Sequence, residues 1–184
     1  MADRETDEVQ DPTKEVAVRK VVAVEFVSVD GVMESPEEWA SSYTNDEMEE
    51  ANASGMAASD ALLLGRVTYE QMVAFWSNQS GGTPMVDYMN TVSKHVVSMT
   101  LEEPLGWNNS TLIRGNVAED ITRLKQEPGK DIAILGSGAL VRSLLQGDLL
   151  DELRLIIHRL RQRQAPLRGR RQSESPGTCG FEDL

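Results

Sequence analysis

Cysteine and histidine are scarce in this sequence, which has one cysteine, Cys179, and two histidines, His95 and His158. A single cysteine cannot form an intramolecular disulfide, so a disulfide-stabilised fold is excluded. Neither histidine has a Cys or His partner at the spacing of a zinc site. We therefore expect no metal centre, and we interpret Cys179 as an incidental thiol.

Long apolar segments are also missing. No run approaches the roughly 20 residues that a membrane-spanning helix needs. The first residues, MADRETDEVQDPTKEVAVRK, contain no apolar stretch of the kind found in a secretory signal. Hydrophobic residues make up 40% of the 184 positions, which is typical of one globular domain. We expect a cytoplasmic protein without a membrane partner.

Basic residues are fewer than acidic ones: the chain has 18 Lys and Arg and 30 Asp and Glu, which gives a net charge of −12. Residues 159–184 hold six arginines against three acidic residues, so this segment carries +3 and the preceding residues carry −15. An acidic body repels phosphates, and we therefore expect no nucleic-acid partner for the main domain. The arginine-rich segment leaves an alternative open, a tail that binds nucleic acid or an acidic partner.

Composition divides the chain into three parts. Residues 1–19 are polar and aperiodic, which predicts a disordered leader. Residues 20–158 carry the periodic apolar patterns of a folded domain. From residue 159 the apolar pattern is lost, so residues 159–184 are expected to form a disordered, arginine-rich tail.

Strand and helix patterns alternate along the central part of the chain. Apolar, β-branched runs predict strands at 21–30, 61–65, 95–99, 110–113, 131–135 and 152–158. Helices are predicted at 44–59, 68–75 and 139–147, and after the cap residues Thr83 and Asn116. Capping boxes at Thr44 and Thr68 would open the first two helices. This alternation predicts an α/β sandwich with a mostly parallel sheet.

Three segments follow the carboxyl ends of predicted strands, where open α/β sheets bind ligands. The Gly-Ser-Gly turn at residues 136–138 leads into a helix whose N-terminal amides suit a phosphate, although Val141 breaks the full GxGxxG fingerprint. Arg66 follows Gly65 at a helix start, and it either binds a phosphate or is a surface arginine. Asp30 either orients a substrate or forms an Asp-Gly turn.

Four segments occur in an order and spacing similar to those of dihydrofolate-reductase-like proteins: SVDGV at 28–32, ALLLGRVTYE at 61–70, HVVSMTL at 95–101 and DIAILGSGALV at 131–141. From about residue 19 to 158 the chain resembles stand-alone relatives of the reductase domain in bifunctional riboflavin-biosynthesis deaminase-reductases. The resemblance implies a three-layer sandwich, often dimeric. It also implies an NADPH-dependent reductase that transfers hydride to a small heterocyclic or pyrimidine-type substrate, such as 5-amino-6-(5-phosphoribosylamino)uracil. It does not separate NADPH from NADH or a deazaflavin.

The resemblance also implies roles for individual residues. Asp30 would face the substrate in a catalytic role. The residues of the 136–138 turn and the following helix start would hold the pyrophosphate: Gly136, Ser137, Gly138, Ala139 and Leu140. The residues after the second and third predicted strands would hold the adenosine side of the cofactor: Gly65, Arg66, Thr68, Ser98 and Thr100.

After His158 the sequence departs from the family pattern, because relatives continue with a Pro-Val-Val-Leu-Gly-Ser-Gly-like stretch and a final strand. We therefore expect the C-terminal strands of the sheet to be missing, which would leave an open edge and uncovered apolar surface on residues 152–158. This departure keeps a second function open, a non-catalytic nucleotide-binding remnant inactivated by its altered C-terminus.

Overall fold

The computed structural model describes residues 18–40, 44–79 and 81–158. Its strands are β1 (Val21–Ser28), β2 (Ser59–Gly65), β3 (Ser93–Val97), β4 (Ser110–Ile113), β5 (Asp131–Leu135) and β6 (Glu152–His158). Its helices are α1 (Pro36–Trp39), α2 (Asp46–Ala58), α3 (Arg66–Trp76), α4 (Pro84–Thr91), α5 (Val117–Gln126) and α6 (Gly138–Gln146). The leader up to residue 17, the tail 159–184 and Cys179 lie outside the described residues.

The six strands form one sheet in the order β4-β3-β2-β5-β1-β6, and every neighbouring pair is parallel. Because all strands run the same way, their carboxyl ends lie along one edge of the sheet, which we call the carboxyl edge. Strand β5 is inserted between β2 and β1, so the turns that follow β2 and β5 are neighbours at this edge. The predicted α/β sandwich with a mostly parallel sheet is confirmed.

Alternate side chains of the buried strands point to opposite faces of the sheet, and each face packs against helices. On one face, Ala23, Leu63 and Ile134 pack with residues of α5 and α6. On the other face, Leu62 and Leu64 pack with residues of α3 and α4. The result is three layers, helix, sheet and helix, with the sheet almost fully buried at its centre.

Two helix starts differ from the predicted capping boxes. Helix α2 begins after Asn45, whose side chain accepts a hydrogen bond from the Met48 amide, so the prediction of Thr44 as the cap is wrong. Helix α3 begins at Arg66 with Gly65 as its N-cap, and Thr68 lies within the first turn. Strand β2 runs into α3 without a loop, which leaves no position for a separate polar cap. The Thr83 and Asn116 caps are confirmed.

The folded domain begins slightly earlier than the sequence suggested. Arg19, placed at the end of the leader, is only 6% exposed. Its guanidinium pairs with Asp60 and donates a hydrogen bond to the Lys130 carbonyl. The start of β1 is therefore anchored to β2 and β5 by a residue that composition alone assigns to the disordered segment.

Strand β6 forms one edge of the sheet, and it pairs with β1 alone among the described strands. Leu153, Leu155 and Ile157 point to the α6 side of the sheet and are 42%, 51% and 65% exposed. The expected uncovered apolar surface on residues 152–158 is thus present in the described part of the chain. An open edge beside exposed aliphatic side chains favours association with another β-strand or apolar surface.

Replacing Leu155 and Ile157 together by threonine is expected to reduce concentration-dependent self-association while changing the free energy of unfolding by less than about 1 kcal/mol. Both side chains are mostly in solvent, so little buried contact is lost. Sedimentation velocity over a concentration series measures the effect. The matched control is Phe75→Thr, which removes a 60% exposed apolar side chain from α3, away from the edge. Equal association of the double variant and the wild type would contradict the prediction.

Candidate functional site at the carboxyl edge

The turns after β2 and β5 meet at the carboxyl edge. The backbone amide of Gly65, the last residue of β2, donates a hydrogen bond to Ser137 Oγ at 3.0 Å. A Cβ atom at Gly65 would lie 3.6 Å from the same Ser137 Oγ, so the two segments are in van der Waals contact. The structure therefore brings together the two segments that the sequence analysis assigned to phosphate binding.

The turn after β5 requires an unusual backbone. Gly136 has φ +70° and Ser137 has φ +63°, so two successive residues adopt the left-handed conformation. A Cβ atom at Gly136 would lie 3.6 Å from the Thr68 methyl group, which places Thr68 directly across from the turn. This backbone turns the chain sharply from β5 into α6, so the first amides of α6 are presented beside α3.

Both helices that begin here lack a side-chain cap. The Ser137 side chain does not cap α6, because its Oγ accepts a hydrogen bond from the Gly65 amide instead. The N-cap residue of α3 is Gly65, which has no side chain. The first turn of α6 comprises Gly138, Ala139 and Leu140. Unsatisfied amides and the positive ends of two helix dipoles therefore lie side by side. Such an arrangement attracts anions, phosphate groups above all.

Arg66 adds a positive charge at the start of α3. Its side chain is 40% exposed, and Nη1 pairs with Glu70 Oε2 at 3.0 Å, one helical turn further along. An exposed pair of this kind contributes only about 0–1 kcal/mol, so an anionic ligand can compete for the guanidinium. The structure therefore shows a surface arginine that lies next to two uncapped helix N-termini, and its binding of a phosphate stays a prediction.

Ser98 and Thr100 lie one strand further along the same edge, after β3. Ser98 is 1% exposed, and its Oγ accepts hydrogen bonds from the amides of Thr100 and Leu101, both at 3.1 Å. The Ser98 hydroxyl is thus committed to shaping the turn, whereas Thr100 is exposed to solvent. Neighbouring strands are about 4.8 Å apart, so this turn lies roughly 10 Å from the turn after β5.

Asp30 lies apart from these segments. Strand β1 continues for four residues beyond the last β1–β5 pair, Val24 with Leu135, which extends it by about 13 Å. Asp30 is exposed, accepts a hydrogen bond from Ser28 Oγ, and is followed by Gly31 with φ +87°. The structure therefore shows the Asp-Gly turn, and the catalytic role of Asp30 stays a prediction.

A cleft of about 300 Å³ opens between α2 and the sheet, on the face opposite α6. Its floor is apolar and comes from three neighbouring strands: Val22, Val24, Ala133, Leu135 and Ile156. Its roof comes from Met56 and from five smaller residues of α2: Ala51, Asn52, Ser54, Gly55 and Ala58. Two floor residues, Val24 and Leu135, are the last β1–β5 pair, so the cleft reaches the point where those strands separate.

Polar groups lie along one side of this cleft. Ser59 Oγ donates to the Gly55 carbonyl at 2.8 Å, so the Tyr88 hydroxyl, 2.7 Å away, is the donor in their contact. Burial raises the pKa of Tyr88, which keeps its hydroxyl protonated. The charged lining residues are Asp131 and Arg154, and Arg154 Nε pairs with Glu152 at 2.7 Å. The cleft thus combines an apolar floor with a few fixed polar groups, as small-molecule sites do.

Glu25 is a further group that the sequence analysis missed. It is 5% exposed, its Oε1 has no hydrogen-bond partner among the described residues, and burial raises its pKa from 4.5 to about 7. It lies one residue beyond the last β1–β5 pair, level with Gly136. Its position within an apolar strand, VVAVEFVS, is the sequence signal that could have revealed it.

The described residues contain no cluster of three or more His, Cys, Asp or Glu side chains that could hold a metal ion. Across the same residues, no helix combines the length and apolarity needed to traverse a bilayer.

A comparison with known families identifies the domain to which this part of the chain belongs. The model of the RibD C-terminal domain matches residues 19–160, more than three quarters of the chain. The chain belongs to this family. The match ends two residues after β6, so it includes both turns at the carboxyl edge and the cleft.

Individual proteins similar to this RibD-type domain share less than a third of its residues. YyaP of Bacillus subtilis (strain 168), an uncharacterised protein, is 29% identical over 102 residues, which are 54% of this chain and 53% of YyaP. The chain thus spans about half the length of that curated relative. A crystal structure from Shewanella sp. PV-4, described as a riboflavin biosynthesis protein, aligns with a TM-score of 0.60 at 20% identity over 77% of each chain. This second likeness supports the fold alone.

Dihydrofolate reductase from Enterococcus faecalis, in complex with NADP(H) and RAB-propyl, also aligns, with a TM-score of 0.49. It is 14% identical and covers 77% of this chain and 71% of the reductase. At this distance the likeness carries no argument about binding.

Proposed function

We propose that this RibD-type domain is an NADPH-dependent reductase, with the dinucleotide lying along the carboxyl edge. The observation that carries the proposal is the contact between two uncapped helix N-termini, where the Gly65 amide lies 3.0 Å from Ser137 Oγ. A dinucleotide carries several phosphate charges close together, and paired helix N-termini beside an arginine match that charge pattern. Membership of the RibD C-terminal domain family supports a reductase-type function.

The proposed cofactor contacts follow the order of the strands. The left-handed turn at Gly136 and Ser137 would let the backbone approach the pyrophosphate, with amides of Gly138, Ala139 and Leu140 as donors. Gly65, Arg66 and Thr68 would face the adenosine-side phosphates, and Arg66 suits the 2′-phosphate because guanidinium groups bind phosphates bidentately. Thr100, exposed beyond β3, would lie near the adenine ribose, with Ser98 holding its turn in shape.

The substrate would occupy the cleft between α2 and the sheet. Bound NADPH would supply the hydride, while the protein orients both partners and excludes water. The apolar floor around Val24, Leu135 and Ile156 supports a flat, small heterocycle, and the Tyr88 hydroxyl offers a polar contact. A pyrimidine of the riboflavin pathway fits this description, and Asp30 would act on the substrate from the end of β1.

The Arg66→Ala variant tests the cofactor assignment. The dissociation constant for NADPH is expected to rise about tenfold, because one charge-assisted phosphate contact is lost, while that for NADH stays unchanged. Fluorescence titration of the two nucleotides measures both constants. The matched control is Arg123→Ala, which also breaks an exposed ion pair within one helix but lies on α5. Equal losses for NADPH and NADH, or none, would contradict the assignment of Arg66 to the 2′-phosphate.

The uncovered apolar face of β6 supports a second candidate, a nucleotide-binding domain without turnover. One measurement separates the two candidate functions. It follows the oxidation of bound NADPH in the presence of pterins, flavin precursors and small carbonyl compounds. Oxidation with any of these substrates supports the reductase. Tight NADPH binding without oxidation of any kind supports the non-catalytic candidate.

A further inference from the structure

Glu25 carries a buried carboxyl group that has no role in the binding mode proposed above. The side chain is 5% exposed, and its Oε1 is fully buried without a hydrogen-bond partner among the described residues. A buried polar oxygen without a partner costs about 1–3 kcal/mol, so such a group usually has a function or an absent partner.

The backbone around Glu25 leaves a gap in the sheet. Strands β1 and β5 pair as far as Val24 and Leu135. Beyond that point, β5 turns away through Gly136 at φ +70°, whereas β1 continues to Ser28, paired with β6 alone. One edge of β1 after Val24 therefore has no neighbouring strand among the described residues. Glu25 is the first residue of this edge.

The order of the strands indicates which part of the cofactor reaches this gap. In the proposed binding mode, the adenine ribose lies at β3 and the phosphates lie at β2 and β5. The next strand in the sheet is β1, so the remaining part of the dinucleotide, the nicotinamide, is directed toward β1. The floor of the substrate cleft reaches the same point from the opposite face of the sheet, through Val24 and Leu135. A nicotinamide ring lying in the gap between the two strands would therefore have Glu25 on one face and the substrate on the other.

Building on that proposed function, we infer that Glu25 is a positioning residue whose carboxyl group hydrogen-bonds the carboxamide of the nicotinamide ring. A protonated carboxylic acid and a primary amide are complementary. The acid O–H donates to the amide carbonyl, and the amide N–H₂ donates to the acid carbonyl oxygen. This pairing would give the unpartnered Glu25 oxygen a partner and fix the plane of the ring.

The surroundings of Glu25 favour its protonated form. Apart from the uncharged Ser143 hydroxyl, the groups on this side of the sheet are apolar: Ala23 and Val27 on β1, Leu153, Leu155 and Ile157 on β6, and Leu140, Val141 and Leu144 on helix α6. The charged residue of α6, Arg142, is exposed. Burial alone accounts for the raised pKa of Glu25, about 7, with no contribution from a neighbouring charge.

The test compares Glu25→Gln and Glu25→Met with two ligands, NADPH and adenosine 2′,5′-bisphosphate, which lacks the nicotinamide. Near pH 6, the Met variant is expected to bind NADPH about tenfold more weakly and the bisphosphate as tightly as the wild type. The Gln variant should retain NADPH binding, because its amide also offers one donor and one acceptor. Above about pH 7, wild-type affinity for NADPH should fall as the carboxyl loses its proton, whereas the Gln variant should show no such fall.

The control is Ser143→Ala, which removes a second buried polar group without a partner among the described residues, the hydroxyl of Ser143 on α6. It should leave both affinities unchanged. Wild-type NADPH affinity in the Met variant, or equal weakening for both ligands, would overturn the role of Glu25 and leave the reductase proposal standing. Failure of the wild type to bind either ligand would instead overturn the reductase proposal, and the inference about Glu25 with it.

Discussion

Replacing Gly136 by valine is expected to weaken NADPH binding by about a hundredfold, which corresponds to about 3 kcal/mol. Gly136 has φ +70°, where a β-branched residue is strained, and its Cβ would lie 3.6 Å from the Thr68 methyl group. The branched side chain therefore pushes the turn away from α3 and displaces the amides at the start of α6. Isothermal titration of NADPH measures the loss, and chemical denaturation measures the accompanying destabilisation, about 1–2 kcal/mol.

The matched control is Gly106→Ala. Gly106 has no atom within 4 Å of an added Cβ and does not adopt a positive φ, so this variant should bind NADPH as the wild type does. If the valine variant does not fold, Gly136→Ala applies the same backbone strain with a smaller side chain. A folded Gly136 variant that binds NADPH with wild-type affinity would show that the turn does not hold the phosphates.

The Glu25→Gln variant is expected to be about 3 kcal/mol more stable than the wild type near pH 8 and about equally stable near pH 4. Burial raises the pKa of Glu25 from 4.5 to about 7 in the folded protein. Between pH 4.5 and about pH 7, the Glu25 carboxyl group keeps its proton in the folded state but releases it in the unfolded state. The free energy of unfolding of the wild type therefore falls as pH rises through this window. Above about pH 7, the folded state holds Glu25 as a buried carboxylate, and the loss of stability is complete. Glutamine does not ionise, so its variant avoids this cost.

Urea denaturation of both proteins at several pH values measures the difference. The control, Glu50→Gln, removes an exposed carboxylate on α2 and should leave the pH dependence as in the wild type. Parallel pH profiles for the Glu25→Gln variant and the wild type would show that Glu25 ionises normally in the folded state.

The arrangement of the carboxyl edge could be predicted from the sequence because it depends on local patterns. The strand-turn-helix segments around Gly65 and Gly136 have clear apolar runs and glycines, and parallel strands bring their carboxyl ends to one edge. The adjacency of β2 and β5 is less local, since 65 residues separate the two strands, from the end of β2 to the start of β5. The resemblance to a known family supplied that long-range information.

Lys94 illustrates what local patterns miss. The apolar run predicted a third strand that starts at His95, whereas β3 starts at Ser93 and Lys94 is completely buried. Its Nζ donates to the carbonyls of Val92 and Asn108 and lies 4.3 Å from the centre of the Trp107 ring. Burial lowers the pKa of Lys94 from 10.5 to about 8. Asn108 and Trp107 come from the loop between β3 and β4, so nothing in the strand itself predicts that a lysine fits there.

The cleft between α2 and the sheet was missed for a similar reason. Residues 44–59 were predicted as a helix, with no cleft expected beneath it. The small residues of that helix, Ala51, Ser54 and Gly55 among them, instead leave space above the sheet. A cavity is a property of two surfaces together, and the facing strand residues, Val22 and Val24, are far away in sequence. A run of small residues in a helix that covers a sheet is the signal that could have found it.

The central claim is that the amides beside Ser137 and Gly65 bind a dinucleotide's phosphates, and amide chemical shifts recorded during an NADPH titration test it most directly. The account predicts that the largest shifts fall on residues 136–140 and on Gly65 and Arg66, with Gly115, in the loop after β4, unaffected. Saturable NADPH binding whose shifts leave residues 136–140 unchanged would contradict it.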